Sequence, residues 1–385
     1  MGKLKSIQSL RAVAALLVFL CHLFSMEEAH AGRSEKLTSF WVNGAHGVDL
    51  FFVISGFVIV WVASDMPRGW RCAGDFLYAR IARIYPLWWL FAGAVAIMHL
   101  MAFGTIWNPA RMLEHGMNGP THMVQSFLLW PQAHHPVLGV GWTLVHEIYF
   151  YVAFAALILI LPATKRLAGI LLWAAFVIIG ATLGLTDDFA DNLVKLAFYP
   201  MTLQFIAGAL IAYLIKANHR RFALISIAIG LAGWAAAYLE LDRIAVPSLA
   251  MWFGLEDAPA GAVVWRRTLL YGLPSALLVY GLVAMELRNG FSSRIPNPLV
   301  KIGDWRYALY LCHVPVIAGV NRLVYRPFGS DSLWSVMAYF TLATVTTFIV
   351  AAMTYYLFER PAIAFFKRHR WRPARRRTLS FGAPG

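Results

Sequence analysis

Residues 47–63 read GVDLFFVISGFVIVWVA, a run in which Asp49 is the one ionisable side chain. A helix needs about 20 mostly apolar residues to cross the roughly 30 Å of hydrocarbon in a bilayer, so this run predicts a membrane helix. Similar runs recur along the chain. They predict about ten such helices, at about 7–24, 47–63, 84–103, 145–161, 167–185, 193–215, 222–239, 268–287, 307–320 and 333–358.

The composition of the 385-residue chain also indicates a membrane protein. Its hydrophobic fraction is 60% and its charged fraction is 14%, whereas soluble domains are about 45–50% apolar and about 25% charged. These values exclude a disordered chain, a secreted disulfide scaffold and a soluble enzyme. The three cysteines are an odd number and predict no disulfide framework. We therefore expect an all-α, polytopic integral membrane bundle.

The formal net charge is +14, from 33 Lys and Arg against 19 Asp and Glu. Placing the N-terminus inside the cell puts most of the basic residues in cytoplasmic segments, as the positive-inside rule requires. Ten crossings then leave both termini cytoplasmic, and the charge reflects topology rather than nucleic-acid binding. The predicted parts are a transmembrane domain over residues 1–361 and a basic cytoplasmic tail over residues 362–385.

Arg11 and His22 lie in the first predicted helix, eleven residues apart. At about 100° per residue this separation is about 20° past three full turns, so both side chains share one face. Histidine exchanges protons near neutral pH and suits general-base work on a hydroxyl group, while arginine suits phosphate or carbonyl oxygen. The alternative is a snorkelling arginine and an interfacial histidine.

The second predicted helix contributes Asp49 and Ser55. Asp49 is three residues after His46, so the two are neighbours on a helix, although an acid at a helix start is also favourable in itself. Ser55 and Gly56 permit either close helix packing or exposure of the backbone to a ligand.

Arg80 and Arg83 precede the third predicted helix and form a fork for a phosphorylated ligand, or an ordinary positive-inside flank.

Glu147 opens the fourth helix, at a depth comparable to His22. A carboxylate there could orient an imidazole or could be an ordinary helix-start acid. His313 is a second intramembrane histidine. The Cys-His pairs at 21–22 and 312–313 are poor chelates because adjacent helical residues diverge by about 100°, and no metal is expected.

Together these segments resemble the membrane-bound acyltransferase-3 family, especially its bacterial exopolysaccharide O-acetyltransferases of the succinoglycan-modifying kind. The resemblance rests on the order and spacing of motifs that span residues 6–361. These motifs are SIQSLRA at 6–12 with His22, GVDLFFVISGF at 47–57, RIARIYP at 80–86, WTL at 142–144 leading to Glu147 and Tyr149, YLCH at 310–313 and FERP at 358–361.

The resemblance implies a transmembrane acyltransferase of the bacterial cytoplasmic (inner) membrane. Such a protein takes an acyl group, usually acetyl, from cytoplasmic acetyl-CoA and delivers it to a hydroxyl group of a glycan or other acceptor at the outer face. The expected partners are a glycan or glycolipid acceptor, membrane lipids, and polysaccharide-assembly proteins or a second copy of the chain.

The hypothesis assigns roles to the polar residues. His22 is the base, oriented by Glu147 or Asp49, and Arg11 lines the path of the donor. An acyl-histidine or acyl-Ser55 relay is an alternative to direct transfer. Acetyl-CoA is held by Arg11, Arg80, Arg83, Ser55 and Tyr85, and the further site candidates are His313, Tyr149 and Trp142.

Two other functions fit the same residues. A transporter of an anionic or glycolipid substrate would also need buried charge and a basic inner face. Within the enzyme class, the acceptor could instead be a small lipophilic molecule such as a macrolide or glycolipid.

Overall fold

The computed structural model describes residues 4–31, 35–186, 192–239, 261–289, 294–329 and 332–369. Within these ranges the chain is helical and contains no strand. The α-helices are α1 (Lys5–Ala31), α2 (Glu35–Trp41), α3 (Gly47–Ala63), α4 (Trp70–Phe103), α5 (Pro109–Glu114), α6 (Gly119–Leu128), α7 (Trp142–Ile160), α8 (Arg166–Thr182), α9 (Leu193–Phe198), α10 (Thr202–Lys216), α11 (Ala223–Tyr238), α12 (Gly261–Asn289), α13 (Asn297–Phe328), α14 (Leu333–Thr354) and α15 (Arg360–Arg368).

Eight helical segments of the described chain are long and apolar enough to cross a membrane, and two shorter apolar helices, α10 and α11, accompany them. The eight are Lys5–Ala29, Thr38–Ala63, Trp70–Phe103, Gly139–Ile160, Ala163–Thr182, Trp265–Arg288, Asn297–Pro327 and Leu333–Arg368. The prediction of an all-α, multi-pass membrane bundle is confirmed. The count of ten crossings and the cytoplasmic position of both termini stay predictions.

The run at 193–215, predicted as one helix, forms two. Helix α9 ends at Phe198, Tyr199 is extended, and α10 begins at Thr202. Pro200 explains the break, because the residue before a proline is pushed away from helical geometry. The apolar composition continues through the break, so hydropathy does not reveal it.

The last membrane segment is longer than the run at 333–358. A π-helix at Tyr355–Glu359 joins α14 to α15, and Pro361 stands in the first turn of α15, where its missing N–H group is tolerated. The predicted boundary between residues 361 and 362 therefore falls inside a helix. Residues 370–385, most of the predicted tail, lie outside the described residues.

Helices α3 and α10 pack at very short range through two glycines. A Cβ atom added to Gly56 would lie 1.8 Å from the carbonyl oxygen of Phe205, and one added to Gly208 would lie 1.9 Å from that of Val53. Small residues at a membrane interface let backbones approach in this way. Gly56 thus serves helix packing, which separates it from its neighbour Ser55.

Helix α13 lies beside α1 and brings the late part of the chain to the first helix. Near the start of α1, a Cβ atom added to Gly303 would lie 2.0 Å from the carbonyl oxygen of Gln8. Further along, Asn321 donates to the carbonyl oxygen of Met26. The two helices therefore run in the same direction, which sets residues 306–313 of α13 beside residues 11–22 of α1.

Candidate active site

A cavity opens where α1, α3, α4, α7 and α13 meet. The space between its walls is about 750 Å³, counting the part open to solvent. Its lining consists of Arg11, Val48, Phe51, Phe52, Ser55, Val58, Ile59, Arg80, Arg83, Ile84, Thr143, Leu144, Glu147, Tyr151, Arg306, Tyr307 and Tyr310. We call it the arginine cavity.

Four arginines and one carboxylate give this cavity its electrostatic character. Arg11, Arg80, Arg83 and Arg306 all line it, and Glu147 is the one acid among the described lining residues. Arg11 is buried, although arginine inside a membrane domain is costly and usually faces a cavity or the bundle interior. Such an excess of positive charge beside apolar walls is typical of a site for an anionic ligand with an apolar portion.

Glu147 is held by two hydroxyl groups inside the arginine cavity. The Ser55 hydroxyl donates to its Oε1 atom at 3.3 Å, and the Tyr151 hydroxyl donates to the same oxygen. Tyr151 also lies below the Arg80 guanidinium, whose central carbon is 5.8 Å from the ring centre. Glu147 and Tyr151 are four residues apart on α7 and so project from one face of the helix.

His22 and His313 contact each other next to the arginine cavity, and we call them the histidine pair. The Nε2 atom of His313 lies 3.4 Å from the Nδ1 atom of His22, and the ring centres are 5.0 Å apart. Tyr310 lines the cavity, and its ring centre is 5.9 Å from that of His313. The Tyr310 hydroxyl donates to the carbonyl oxygen of Val140 at 3.0 Å, which fixes this ring between the cavity and the pair.

Asp49 belongs to a separate group, the Asp49 cluster, formed by Asp49, Arg267, His46 and Gln204. Arg267 donates to both carboxylate oxygens, with its Nη2 atom 3.0 Å from Oδ2. The Gln204 side-chain amide donates to Oδ1 at 2.6 Å, and the Nδ1 atom of His46 lies 3.1 Å from Oδ2. This fully buried carboxylate links α3, α10 and α12 and has its acceptor positions filled.

The structure therefore does not bring His22 together with Glu147 or Asp49. Among the described residues, the hydrogen-bond partners of His22 are the Val18 carbonyl oxygen and His313. The hydrogen-bond partners of Glu147 are Ser55 and Tyr151, and those of Asp49 are Arg267, His46 and Gln204. The side chain beside the His22 ring is that of His313, not the carboxylate that the hypothesis assigns to this position.

Three further predicted residues lie outside the arginine cavity. Tyr85 donates to the carbonyl oxygen of Leu128 at 2.7 Å and ties α4 to α6. Tyr149 donates to the carbonyl oxygen of Ala197 at 3.2 Å. Trp142 stacks under Arg267, at 5.7 Å from its guanidinium carbon to the ring centre, and so belongs beside the Asp49 cluster.

Arg306 is a charged residue of the cavity that is not among the site residues predicted from the sequence, because a basic residue before an apolar run is also what a positive-inside flank predicts. A usable signal existed in the spacing of Arg306, Tyr310 and His313, which are four and three residues apart and therefore share a helix face. Tyr307 and Tyr310 complete the α13 wall. Among the described residues, no group of three or more His, Cys, Asp and Glu side chains is arranged to hold a metal ion.

Comparisons with known proteins give a consistent result. A family model described as an acyltransferase domain matches residues 4–356. The chain is 29% identical over 337 residues to the exopolysaccharide production protein ExoZ of Rhizobium meliloti (strain 1021), covering 86% of this chain and 93% of that one. It is 27% identical over 396 residues to the acyltransferase MdmB of Streptomyces mycarofaciens, covering 96% and 94%. No solved structure matches the chain.

Proposed function

The chain belongs to the acyltransferase family whose domain model matches residues 4–356, and on that premise we propose that it moves an acetyl group from acetyl-CoA to a hydroxyl group of a glycan or glycolipid. Family membership and the long apolar helices make it a multi-pass membrane O-acyltransferase that needs an acyl donor. The observation that carries the choice of donor is the arginine cavity.

Acetyl-CoA combines several phosphate groups with a long arm that ends in a thioester. The guanidinium groups of Arg80, Arg83 and Arg306 suit phosphate because arginine can bind it in a bidentate manner. The same cavity is also lined by Phe51, Phe52 and Tyr310, which suit the less polar arm. In this arrangement the phosphates stay at the arginines and the thioester points toward the histidine pair.

Direct transfer needs a base at the acceptor hydroxyl. His22 takes the hydroxyl proton, the hydroxyl oxygen bonds to the thioester carbonyl carbon, and the carbon–sulfur bond breaks. The proton then passes to the CoA thiolate, so the products are the acetyl ester and free CoA. General-base catalysis of this kind contributes about 10²–10⁴-fold, and holding both substrates in the bundle supplies much of the remainder.

A relay through Ser55 is the second candidate route, and one observation favours it. The Ser55 hydroxyl donates to Glu147 inside the arginine cavity, and a hydroxyl hydrogen-bonded to a carboxylate is the arrangement of an activated nucleophile. The Ser55 oxygen would first bond to the thioester carbonyl carbon as Glu147 takes its proton, the carbon–sulfur bond would break, and the proton would pass to the CoA thiolate. The acceptor hydroxyl would then attack the acetyl-Ser55 ester and give its proton to the Ser55 oxygen. Mass spectrometry of protein quenched during turnover distinguishes the routes, because only the relay adds an acetyl group to Ser55.

The acceptor is proposed from the relatives. One of them is named for exopolysaccharide production, and this supports a glycan or lipid-linked glycan at the outer face of the bacterial inner membrane. Polysaccharide-assembly proteins or a second copy of the chain would then be its partners. A small lipophilic acceptor remains the alternative, and a transporter without chemistry does not agree with membership of an acyltransferase family.

The test uses the full chain reconstituted in lipid vesicles with labelled acetyl-CoA. We expect CoA release and label transfer to a surface glycan, with the product identified by mass spectrometry. We expect the Arg80→Ala/Arg83→Ala variant to weaken acetyl-CoA binding by at least about 100-fold, since each charge-assisted hydrogen bond is worth about 1.5–3 kcal/mol. Arg68→Ala, at an exposed arginine between α3 and α4, is the matched control.

An unchanged dissociation constant for acetyl-CoA in the double variant would show that the arginine cavity is not the donor site. Transfer at the wild-type rate by His22→Ala would show that His22 is not the base. Either result would leave the family membership intact and remove the corresponding part of the proposal.

A further inference from the structure

We infer that His313 is a positioning residue that holds His22 in the tautomer protonated at Nδ1, which leaves the Nε2 atom of His22 free to accept the proton of the acceptor hydroxyl. This inference rests on the proposed function, in which His22 is the base. It assigns to a second histidine the orienting role that sequence reasoning gave to Glu147 or Asp49.

The first step concerns the hydrogen on His313 itself. Its Nδ1 atom lies 3.1 Å from the carbonyl oxygen of Leu309, one turn earlier on α13. A carbonyl oxygen can only accept, so Nδ1 of His313 carries the hydrogen and donates. A neutral imidazole has one N–H group, and its other nitrogen is an acceptor. The Nε2 atom of His313, which faces His22, is therefore an acceptor.

The second step concerns which nitrogen of His22 carries the hydrogen. Its Nδ1 atom lies 2.9 Å from the carbonyl oxygen of Val18 and 3.4 Å from the Nε2 atom of His313. Both neighbours are acceptors, so the hydrogen of neutral His22 belongs on Nδ1. The opposite tautomer would direct three lone pairs at one another. The lone pair of His22 is consequently on Nε2.

The third step decides which of the two histidines meets the substrate. The His313 side chain is 1% exposed, whereas His22 is partly exposed. The rings meet edge to face, with 68° between their planes. His313 is thus enclosed behind His22 and Tyr310, and His22 is the member of the pair that an acceptor can reach.

The hydrogen bond between the two histidines also becomes stronger when His22 takes up the proton. Once Nε2 of His22 takes the hydroxyl proton, the ring becomes an imidazolium, and its Nδ1–H group, which has the Val18 carbonyl oxygen as its nearer acceptor, keeps its hydrogen bond to His313. That hydrogen bond becomes charge-assisted, and such bonds are roughly twice as strong as neutral ones. His313 therefore stabilises the charged base without itself gaining or losing a proton.

The kinetic test compares two substitutions at His313 in the full chain reconstituted in vesicles. Gln places an amide oxygen near the position of Nε2 and can accept from His22, whereas Leu cannot. We expect His313→Leu to lower kcat by about 10–100-fold, the scale of a misplaced catalytic group. We expect the KM for acetyl-CoA to change less than about twofold, and His313→Gln to keep kcat within about threefold of wild type.

A purely structural role for His313 would lower kcat equally in both variants, and wild-type kcat in His313→Leu would exclude any role in transfer. Either outcome overturns the inference. Folding is checked by the unfolding temperature and the acetyl-CoA dissociation constant of each variant. If His313→Leu does not fold, the inference is tested by the tautomer of His22 in the wild-type protein and in His313→Gln.

That tautomer is measured by nitrogen NMR on protein labelled at histidine, with the His22 signals assigned from a His22→Asn sample. We expect an N–H-type resonance for Nδ1 and an unprotonated, pyridine-type resonance for Nε2 in the wild-type protein and in His313→Gln. The reverse pattern overturns the inference whatever the activity. If no acetyl transfer occurs at all, the proposed function fails, while the NMR result still tests the pairing of the two histidines.

Discussion

The arginine cavity and the Asp49 cluster both contain buried charge, but they balance that charge differently. In the Asp49 cluster one carboxylate receives hydrogen bonds from Arg267, His46 and Gln204. In the arginine cavity four guanidinium groups share walls with Glu147 as the one described acid. The first group is nearly neutral around a buried carboxylate, and the second has a large positive excess beside open space.

This difference separates structural charge from functional charge. A buried ion pair with its acceptor positions filled joins the elements that carry it, and it has nothing left to offer a ligand. An excess of one sign is unfavourable within the protein alone, and a bound anion relieves it. The two regions should therefore respond in opposite ways to substitution, one in stability and the other in ligand affinity.

The largest expected effect is on stability, from Asp49→Asn. The substitution leaves the partly buried Arg267 guanidinium without its carboxylate partner, and breaking a fully buried pair costs about 3–5 kcal/mol, an upper bound for this one. We expect a strongly lowered unfolding temperature in detergent. Replacing both partners, as in Asp49→Asn/Arg267→Gln, should recover part of the loss. A stable Asp49→Asn protein that has lost acetyl transfer would instead place Asp49 in the catalytic machinery.

The next effect is on affinity, from Arg306→Ala. Loss of one charge-assisted contact of about 1.5–3 kcal/mol should weaken acetyl-CoA binding by about 10–100-fold, with little change in unfolding temperature. Arg294→Ala is the matched control, because Arg294 is an exposed arginine shortly before α13. Equal affinity in the two variants would contradict the assignment of Arg306 to the donor site.

Glu147→Gln is expected to have a smaller effect, an increase in acetyl-CoA affinity instead of a decrease. Removing the one described carboxylate of the arginine cavity increases the positive excess, and the amide can still accept from Ser55 and Tyr151. We expect acetyl-CoA to bind a few-fold more tightly in calorimetry, and the gain should shrink at high salt. Direct transfer by His22 predicts nearly unchanged kcat, whereas a Ser55 relay predicts a large loss. Weaker binding would contradict the electrostatic account.

The positions of the helices could be predicted from the sequence because a membrane span requires a long apolar run, which is a local property. The break at Pro200 was less visible because the apolar composition continues on both sides. Arg11, Ser55, Arg80, Arg83 and Glu147 were predicted site residues, and all of them line the arginine cavity.

The partner of His22 could not be predicted in the same way. It depends on the register of α13 against α1, which is set by close packing such as that of Gly303 on Gln8. Asp49 illustrates the same limit, since its main partner Arg267 is 218 residues away in the chain. Polar residues in membrane runs identify candidates, but only the packing of distant helices decides which candidates pair with each other.

The smallest expected effect tests a charge pair outside both regions. Asp65 lies after α3, and the Lys216 ammonium is 2.6 Å from its Oδ2 atom. The hydrogen bond from Lys216 lowers the pKa of the Asp65 carboxyl group. A carboxyl group whose pKa is lowered by folding stabilises the folded state above its unfolded pKa, about 3.9. That stabilisation is lost as the pH falls through the folded pKa.

We therefore expect Asp65→Asn to lower the free energy of unfolding at pH 7, and wild type and variant to become equally stable once the pH falls below the lowered pKa of Asp65 in the folded protein. The Asp65 side chain is 85% exposed, so solvent and salt screen the pair and the effect at pH 7 should stay below about 1 kcal/mol. Unfolding temperatures of both proteins across this pH range measure it. A loss as large as that of Asp49→Asn would contradict the comparison, because an exposed pair would then matter as much as a buried one.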